Sequence, residues 1–242
     1  MKHTFLVIFG LALSLTVMAE EPEYRSKNYP DGGGLMYDGY FIGDKPVEIT
    51  RYTEGGHIRS YQKFDSEGNS TIKIYTSTAT PFADGAYKGK NRDGKWQFYS
   101  THDGTLLITV TYNNGIKDGL AEFFFPSGKL METVNYKNDT LDGERVQYFE
   151  NGQKLAVIHY KNGVLDGEYK SFIDTGEPDS EGNFVNGKRD GVWKFYDEKG
   201  AAKEYKFKNG RCKKYEDMLK KADMESEIDP HIPEPDMDKA MP

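Results

Sequence analysis

Apolar and polar residues alternate along much of the chain, in short runs that end at glycine-containing turns. Between residues 106 and 112, apolar side chains recur at every second position, at Leu106, Ile108, Val110 and Tyr112. A period of two residues is typical of a β-strand, because successive side chains point to opposite faces of a sheet. Glycines as closely spaced as these leave little room for helices, so the pattern predicts an all-β protein.

The turns recur with a period of about 24 residues. Asp-Gly pairs begin at Asp93, Asp118, Asp142, Asp166 and Asp190. A unit of this length with two turns holds two strands of about seven residues, which is a β-hairpin. Asn-Gly and Asp-Gly suit tight hairpin turns because both residues tolerate positive φ. Equivalent acids in equivalent turns are typical of turn formation and not of a specialised catalytic pair.

Two sets of side chains follow each Asp-Gly pair. The fifth residue after the glycine is always aromatic, at Tyr99, Phe124, Tyr148, Phe172 and Tyr196. We interpret this ladder of rings as structural. The second and fourth residues point to the opposite face and vary between repeats, as recognition residues would. We therefore predict partner-binding residues at Trp96, Phe98, Arg145, Tyr169, Trp193 and Phe195.

These units resemble the bacterial variant of the MORN repeat. The resemblance is carried by Tyr160, Asn162, Gly163, Asp166 and Gly167, and by Trp193, Phe195, Tyr196 and Gly200. It covers residues 87–210 closely and residues 37–86 weakly. Three positions depart from the pattern, namely Asp139 in place of glycine, Arg145 in place of an aromatic residue, and Pro178, where we expect a bulge or a loose edge.

The resemblance implies an elongated, single-layer antiparallel β-meander of tandem hairpins. We expect this sheet to span residues 37–212 with about 14 strands, and a twisted sheet of that size curls to form a concave face. A short helix that covers the last strand and a disordered, acidic, proline-rich tail are expected in residues 213–242. Some bacterial proteins with such repeats are described as antitoxin partners of a toxin, and eukaryotic relatives act as scaffolds or membrane-associated modules.

Residues 1–19 have the features of a signal peptide, with Lys2 before a 14-residue apolar run and a cleavage site before Glu20. The run is shorter than the ~20 residues that span a bilayer, so we favour export over a membrane anchor. No cysteine follows the cleavage site, which argues against a lipoprotein. We expect a periplasmic or secreted protein in which residues 20–36 form a lead segment before the sheet.

Charge and cysteine content narrow the function. Without residues 1–19 the chain has 31 basic and 39 acidic side chains, a net charge of −8, which argues against nucleic acid or a membrane surface as the main partner. The five histidines fall singly, and His231 with its acidic neighbours is better explained as part of a solvated tail than as a metal site. We predict no cofactor, no metal and no enzymatic activity.

The single cysteine, Cys212, is expected to be a buried thiol, the alternative being a site of intermolecular pairing.

The remaining function classes are both forms of binding. The first is an exported protein-binding or scaffold module that neutralises a toxin or serves an immunity role. The alternative is a carbohydrate-binding envelope protein, in which exposed Trp96, Trp193, Tyr169 and Phe195 stack on sugar rings. Against that alternative, the same aromatic residues could simply pack the curl of the sheet.

Overall fold

The computed structural model describes residues 20–221, which form one open antiparallel sheet of 16 strands followed by one helix. Each strand pairs with its neighbours in the sequence, so the sheet is a meander without crossovers. The elements are β1 Glu23–Asn28, β2 Leu35–Ile42, β3 Lys45–Tyr52, β4 Ile58–Phe64, β5 Ser70–Tyr75, β6 Pro81–Lys88, β7 Asn91–Tyr99, β8 Leu106–Asn113, β9 Ile116–Phe124, β10 Leu130–Lys137, β11 Thr140–Tyr148, β12 Lys154–Lys161, β13 Val164–Phe172, β14 Pro178–Val185, β15 Lys188–Tyr196, β16 Ala202–Phe207 and α1 Lys213–Lys221.

The predicted all-β meander of hairpins is confirmed, and its start is corrected. Strand β1 pairs with β2 from Glu23 onward, so the segment 20–36 already contains a strand of the sheet and does not merely precede it. This extension, together with the complete pairing of residues 45–88, brings the number of strands to 16. The signal peptide predicted at 1–19 and the acidic tail at 222–242 lie outside the described residues.

The Asn-Gly turns lie at one end of the strands, where hydrogen bonds join each turn to the next. In the first regular repeat the backbone N–H of Asn114 donates to the Asp93 carboxylate at 2.9 Å, and Gly115 N–H donates to the Arg92 carbonyl at 2.7 Å. The carboxylates of Asp142, Asp166 and Asp190 accept the equivalent bonds from Asn162, Asn186 and Asn209. The aspartate of each of these Asp-Gly pairs therefore holds the next turn in place, in addition to forming its own.

One face of the sheet is buried, and we call it the inner face. Its side chains include Trp96, Val110, Val134, Ile158 and Trp193, each with 0% of its surface exposed. A flat single sheet would leave such residues open to solvent. Because the only other element in residues 20–221 is α1, at the C-terminal end, their burial indicates that the sheet coils with this face on the inside.

The variable positions predicted for recognition are core residues instead, and the predicted structural ladder lies on the other face. The ladder from Tyr99 to Tyr196 is only half-buried and lies on the outer face, whereas the variable positions at Trp96 and Trp193 lie in the core. The physical reason is that the largest rings gain most from the inside of a coiled sheet.

The bulge expected at Pro178 is confirmed, although β14 stays continuous and pairs on both sides. Its pairing with β13 shifts register between Pro178 and Ser180, and its pairing with β15 shifts between Glu181 and Asn183. Pro178 is its first residue, a position that proline tolerates.

Helix α1 packs on the inner face of the last strands. The Tyr215 ring stacks on Phe195 at 4.9 Å between ring centroids and meets Tyr205 edge-on at 5.1 Å. Met218 and Leu219 pack against the same cluster, and Cys212 is buried beside it as a free thiol. The predicted helix is present, but it was expected to cover the exposed edge of the last strand, and it instead closes the C-terminal end of the inner face. Within residues 20–221 there is no helix with the length and apolarity needed to cross a membrane.

Candidate binding site

The first predicted binding residues, Trp96 and Phe98, belong to a closed packing unit. The indole of Trp96 lies over Gly85, and its Nε1–H donates to the Ala86 carbonyl at 2.9 Å. The Arg92 guanidinium lies 4.7 Å from the centre of the same ring, in a cation–π contact. Phe98 is 3% exposed and stacks beside Trp96. Neither ring has a free face for a partner.

The same unit recurs at the far end of the regular repeats, and we call the two units the tryptophan repeats. Trp193 lies over Gly182, donates from Nε1 to the Asn183 carbonyl at 3.0 Å, and has the Arg189 guanidinium 4.8 Å from its ring centre. A Cβ atom at Gly85 or Gly182 would come within 2.3 or 2.2 Å of the indole. Glycine is therefore required at both places to admit the ring.

The sequence contains a signal for this arrangement, which the assignment of the variable positions to recognition overlooked. Each tryptophan follows a glycine by 11 residues, while the three repeats between them carry Val110, Val134 and Ile158 opposite Ala121, Arg145 and Tyr169. The largest ring is thus placed over glycine, whereas Val110, Val134 and Ile158 face residues smaller than tryptophan. The spacing between glycine and tryptophan is therefore a signal that each indole packs in the core.

Arg145 is buried in the middle of the inner face. Its guanidinium donates to both carboxylate oxygens of Glu132, each at 2.9 Å, and also contacts the Tyr160 hydroxyl at 3.4 Å. Gln147 donates to the same carboxylate at 3.2 Å. Burial disfavours the charged guanidinium, but the bonds to Glu132 outweigh it and raise the pKa of Arg145. The polar capacity of this site is therefore largely used within the fold.

The last two predicted residues, Tyr169 and Phe195, are half-buried between other rings. Tyr169 stacks on Trp193 at 5.5 Å, and Phe195 is stacked between Trp193 at 6.1 Å and Tyr215 at 4.9 Å. The structure thus brings Tyr169, Trp193 and Phe195 into one cluster and Trp96 with Phe98 into another. Arg145 lies between the two clusters, and all six residues line the inner face as parts of its core.

The open part of the inner face lies in strands whose repeats are predicted to be degenerate. A groove of about 620 Å³ crosses β3 to β6 and reaches the turn after β6. We call it the basic groove. Its cations are Arg51, Arg59 and Lys90, and its apolar lining is Ile72, Ile74 and Tyr87.

The basic groove is polar where the later repeats are aromatic. Arg51 donates from Nη1 to the Gln62 side-chain carbonyl at 3.0 Å, and Gln62 Nε2–H donates to the Ser70 hydroxyl at 2.8 Å. This chain of hydrogen bonds crosses β3, β4 and β5 and orients the guanidinium. No acidic residue lines the groove, and Arg51, Arg59 and Lys90 form no ion pair with any residue in 20–221.

Several charged groups pair on the opposite, outer face of the sheet. Lys95 contacts Glu122 at 3.1 Å and Lys194 contacts Glu181 at 3.0 Å, both on the outer face. On the same face the Tyr99 hydroxyl donates to Asp84 at 2.8 Å, and burial together with this bond raises the pKa of Tyr99 to about 12. The described residues contain no group of three or more metal-ligating side chains. Because the lining of the basic groove has three cations and no acidic residue, an anion is the ligand that suits it best.

The repeat frame itself matches a known family. A family model described as the MORN repeat variant matches three tandem segments, at residues 117–138, 141–162 and 165–186. Residues 117–186 therefore contain three MORN repeats. The matched segments begin after Trp96 and end before Trp193, so the basic groove lies outside them. A search of curated proteins found no match to the chain.

Proposed function

We propose that this MORN-repeat protein is a non-catalytic module that binds another protein through the basic groove. One observation carries the proposal. The inner face is filled by its own side chains from about Ala83 onward, whereas the basic groove leaves about 620 Å³ open beside three cations without an acidic partner among the described residues. A concave surface that combines fixed polar groups with apolar lining is typical of a binding site.

The use of the recurring acids supports binding over catalysis. The carboxylates of Asp93, Asp142, Asp166 and Asp190 accept backbone N–H groups of the next turn, which is a structural role. His159 contacts the Glu168 carbonyl at 3.0 Å and lies 4.0 Å from Glu144, on the outer face and away from the basic groove. These aspartate and histidine side chains bond to backbone groups of the sheet, so their contacts are structural.

Export and toxin neutralisation remain parts of the proposal. The features of residues 1–19 support action in the periplasm or outside the cell, and the family resemblance supports an antitoxin-like or immunity-like role there. A protein partner is favoured over nucleic acid or a membrane surface by the net charge of −7. Carbohydrate binding is not favoured, because Trp96 and Trp193, the rings expected to stack on sugars, are 0% exposed.

Site-specific photo-crosslinking tests the proposal. A photoreactive amino acid in place of Lys90, at the basic groove, should capture one discrete protein from cells that express the full chain. The matched control is the same replacement at Lys137, which is exposed at the end of β10. Equal capture at both positions, or at neither, would contradict the proposal. Cell fractionation tests export separately, and an intact 1–242 chain confined to the cytosol would contradict that part.

A further inference from the structure

We propose that the basic groove recognises an acidic segment of the partner in which two carboxylate side chains flank an apolar residue. This inference rests on the proposed function and specifies the chemistry of the partner. The chain carries 39 acidic and 32 basic side chains, yet the lining of the basic groove includes three cations, Arg51, Arg59 and Lys90, and no acidic residue.

The orientation of Arg51 favours a carboxylate. One nitrogen of its guanidinium is held by Gln62, which is itself held by Ser70, so the planar group is fixed before a ligand arrives. Guanidinium groups bind carboxylates through two parallel N–H bonds, and pre-orientation reduces the entropy lost on binding. Ser70 is 6% exposed, so the support of this arrangement is itself buried.

The positions of the cations set the spacing within the ligand. Arg51 and Arg59 flank the turn between β3 and β4, whereas Lys90 lies in the turn after β6, at the opposite end of the strands. The apolar side chains of β5 and β6 lie between them. Three strand spacings of about 4.8 Å separate β3 from β6 by about 14 Å. An extended peptide rises about 3.3 Å per residue, so carboxylates at least about four residues apart are needed to reach both ends, with an apolar side chain between them.

The surroundings argue against a long polyanion. A neighbouring groove, also of about 620 Å³, shares Tyr87 with the basic groove. Its charged lining is three acids and two bases, Asp65, Glu67, Asp93, Lys63 and Lys88. Nucleic acid carries its charge along the whole strand and would meet these carboxylates. A short acidic segment confines its charge to the basic groove and also uses the apolar lining.

Selection of peptides on the full-length chain tests the inference. A displayed library of random 12-residue peptides should yield binders enriched in acid-apolar-acid patterns with the two acids at least about four residues apart. Fluorescence anisotropy with a labelled selected peptide should show at least tenfold weaker binding to the triple variant Arg51→Gln, Arg59→Gln, Lys90→Gln. The charge-matched control Lys137→Gln, Lys154→Gln, Lys161→Gln alters three exposed lysines elsewhere and should bind as the unchanged protein does. Thermal unfolding of both variants checks that they fold.

Three results would overturn the inference. These are the absence of enriched peptides, enriched peptides without acidic residues, and equal binding to both triple variants. Its failure is distinguishable from that of the proposed function. If a partner is crosslinked at Lys90 but still binds after its acidic residues are changed to amides, the protein-binding function stands and the acidic specificity is wrong. If no protein is captured at all, the proposed function itself fails.

Discussion

The first tryptophan repeat and the strands of the basic groove share one pattern of strand pairing, but the first is closely packed and the second leaves an open groove. Trp96 pairs with Val110 and Phe98 with Ile108, whereas Ile49 pairs with Gln62 and Arg51 with Ser60 at the corresponding places. Each pair of strands also follows a glycine that allows close approach, Gly85 in one and Gly39 in the other. The same backbone arrangement therefore accommodates either aromatic or polar side chains on the inner face.

The difference shows how a repeat sheet separates stability from recognition. Rings on the inner face of the later repeats pack on one another and exclude water, which is the main source of favourable free energy for a single-layer fold. Arg51 and Gln62 gain less from burial and leave space beside them. Each repeat contacts mainly its neighbours, so the stable repeats support adjacent strands that are less well filled.

The largest expected effect is a loss of stability when a side chain is added where Gly85 contacts the indole of Trp96. Gly85→Ala should destabilise the protein by about 3 kcal/mol or more, because the added Cβ would lie 2.3 Å from the indole of Trp96. Urea denaturation measures the change. Gly128→Ala is the matched control, since Gly128 has φ +80° with nothing within 4 Å of its Cβ position, and should cost about 1 kcal/mol. Equal losses in the two variants would contradict the packing role of Gly85.

The buried ion pair gives the next largest effect. Glu132→Gln should cost about 3 kcal/mol, because it leaves the guanidinium of Arg145, 2% exposed, without a counter-charge. The double variant Glu132→Leu, Arg145→Met removes both charges and should lie within about 1 kcal/mol of the unchanged protein. Urea denaturation of the two variants tests this. A double variant less stable than Glu132→Gln would show that the pair is stabilising in itself.

Changing Arg51 tests whether the strands of the basic groove can be packed like those of the first tryptophan repeat. Arg51→Phe places a ring where the tryptophan repeat has Phe98, so the stability should change by no more than about 1 kcal/mol. Binding of the captured partner should nevertheless fall at least tenfold. Anisotropy and thermal unfolding on the same sample separate the two effects. Retained binding would remove Arg51 from the site.

The smallest effect concerns the outer face and alkaline pH. The pKa of Tyr99 is raised from 10.0 to about 12 by burial and by its bond to Asp84. A raised pKa in the folded state means that the protonated hydroxyl stabilises the fold below pH 10 and that this contribution is lost between pH 10 and 12. Tyr99→Phe should therefore lose about 1 kcal/mol at about pH 8, with the difference from the unchanged protein shrinking toward pH ~12. A difference independent of pH would contradict the role of this hydroxyl.

Sequence reasoning succeeded where the signal was local. The Asp-Gly and Asn-Gly pairs located the hairpins because backbone conformations with positive φ depend on the residue itself, as at Asn162 with φ +49°. It failed at β1, whose sequence EYRSKN has no apolar alternation and becomes a strand by pairing with β2. It could not locate the open groove either, because Arg51, Arg59 and Lys90 lie on β3, on β4 and in the turn after β6, and only the pairing of β3 to β6 brings them to one groove.

The sequence by itself determined the class of fold, the order of the strands and their repeat length, since these depend on turn residues and on a period of two. Only the tertiary structure decided which face of the sheet is inside. Alternation specifies that two faces differ, but the direction in which a long sheet coils depends on packing summed over many strands. That choice enclosed the six predicted residues in the core and left Arg51, Arg59 and Lys90 around the open groove.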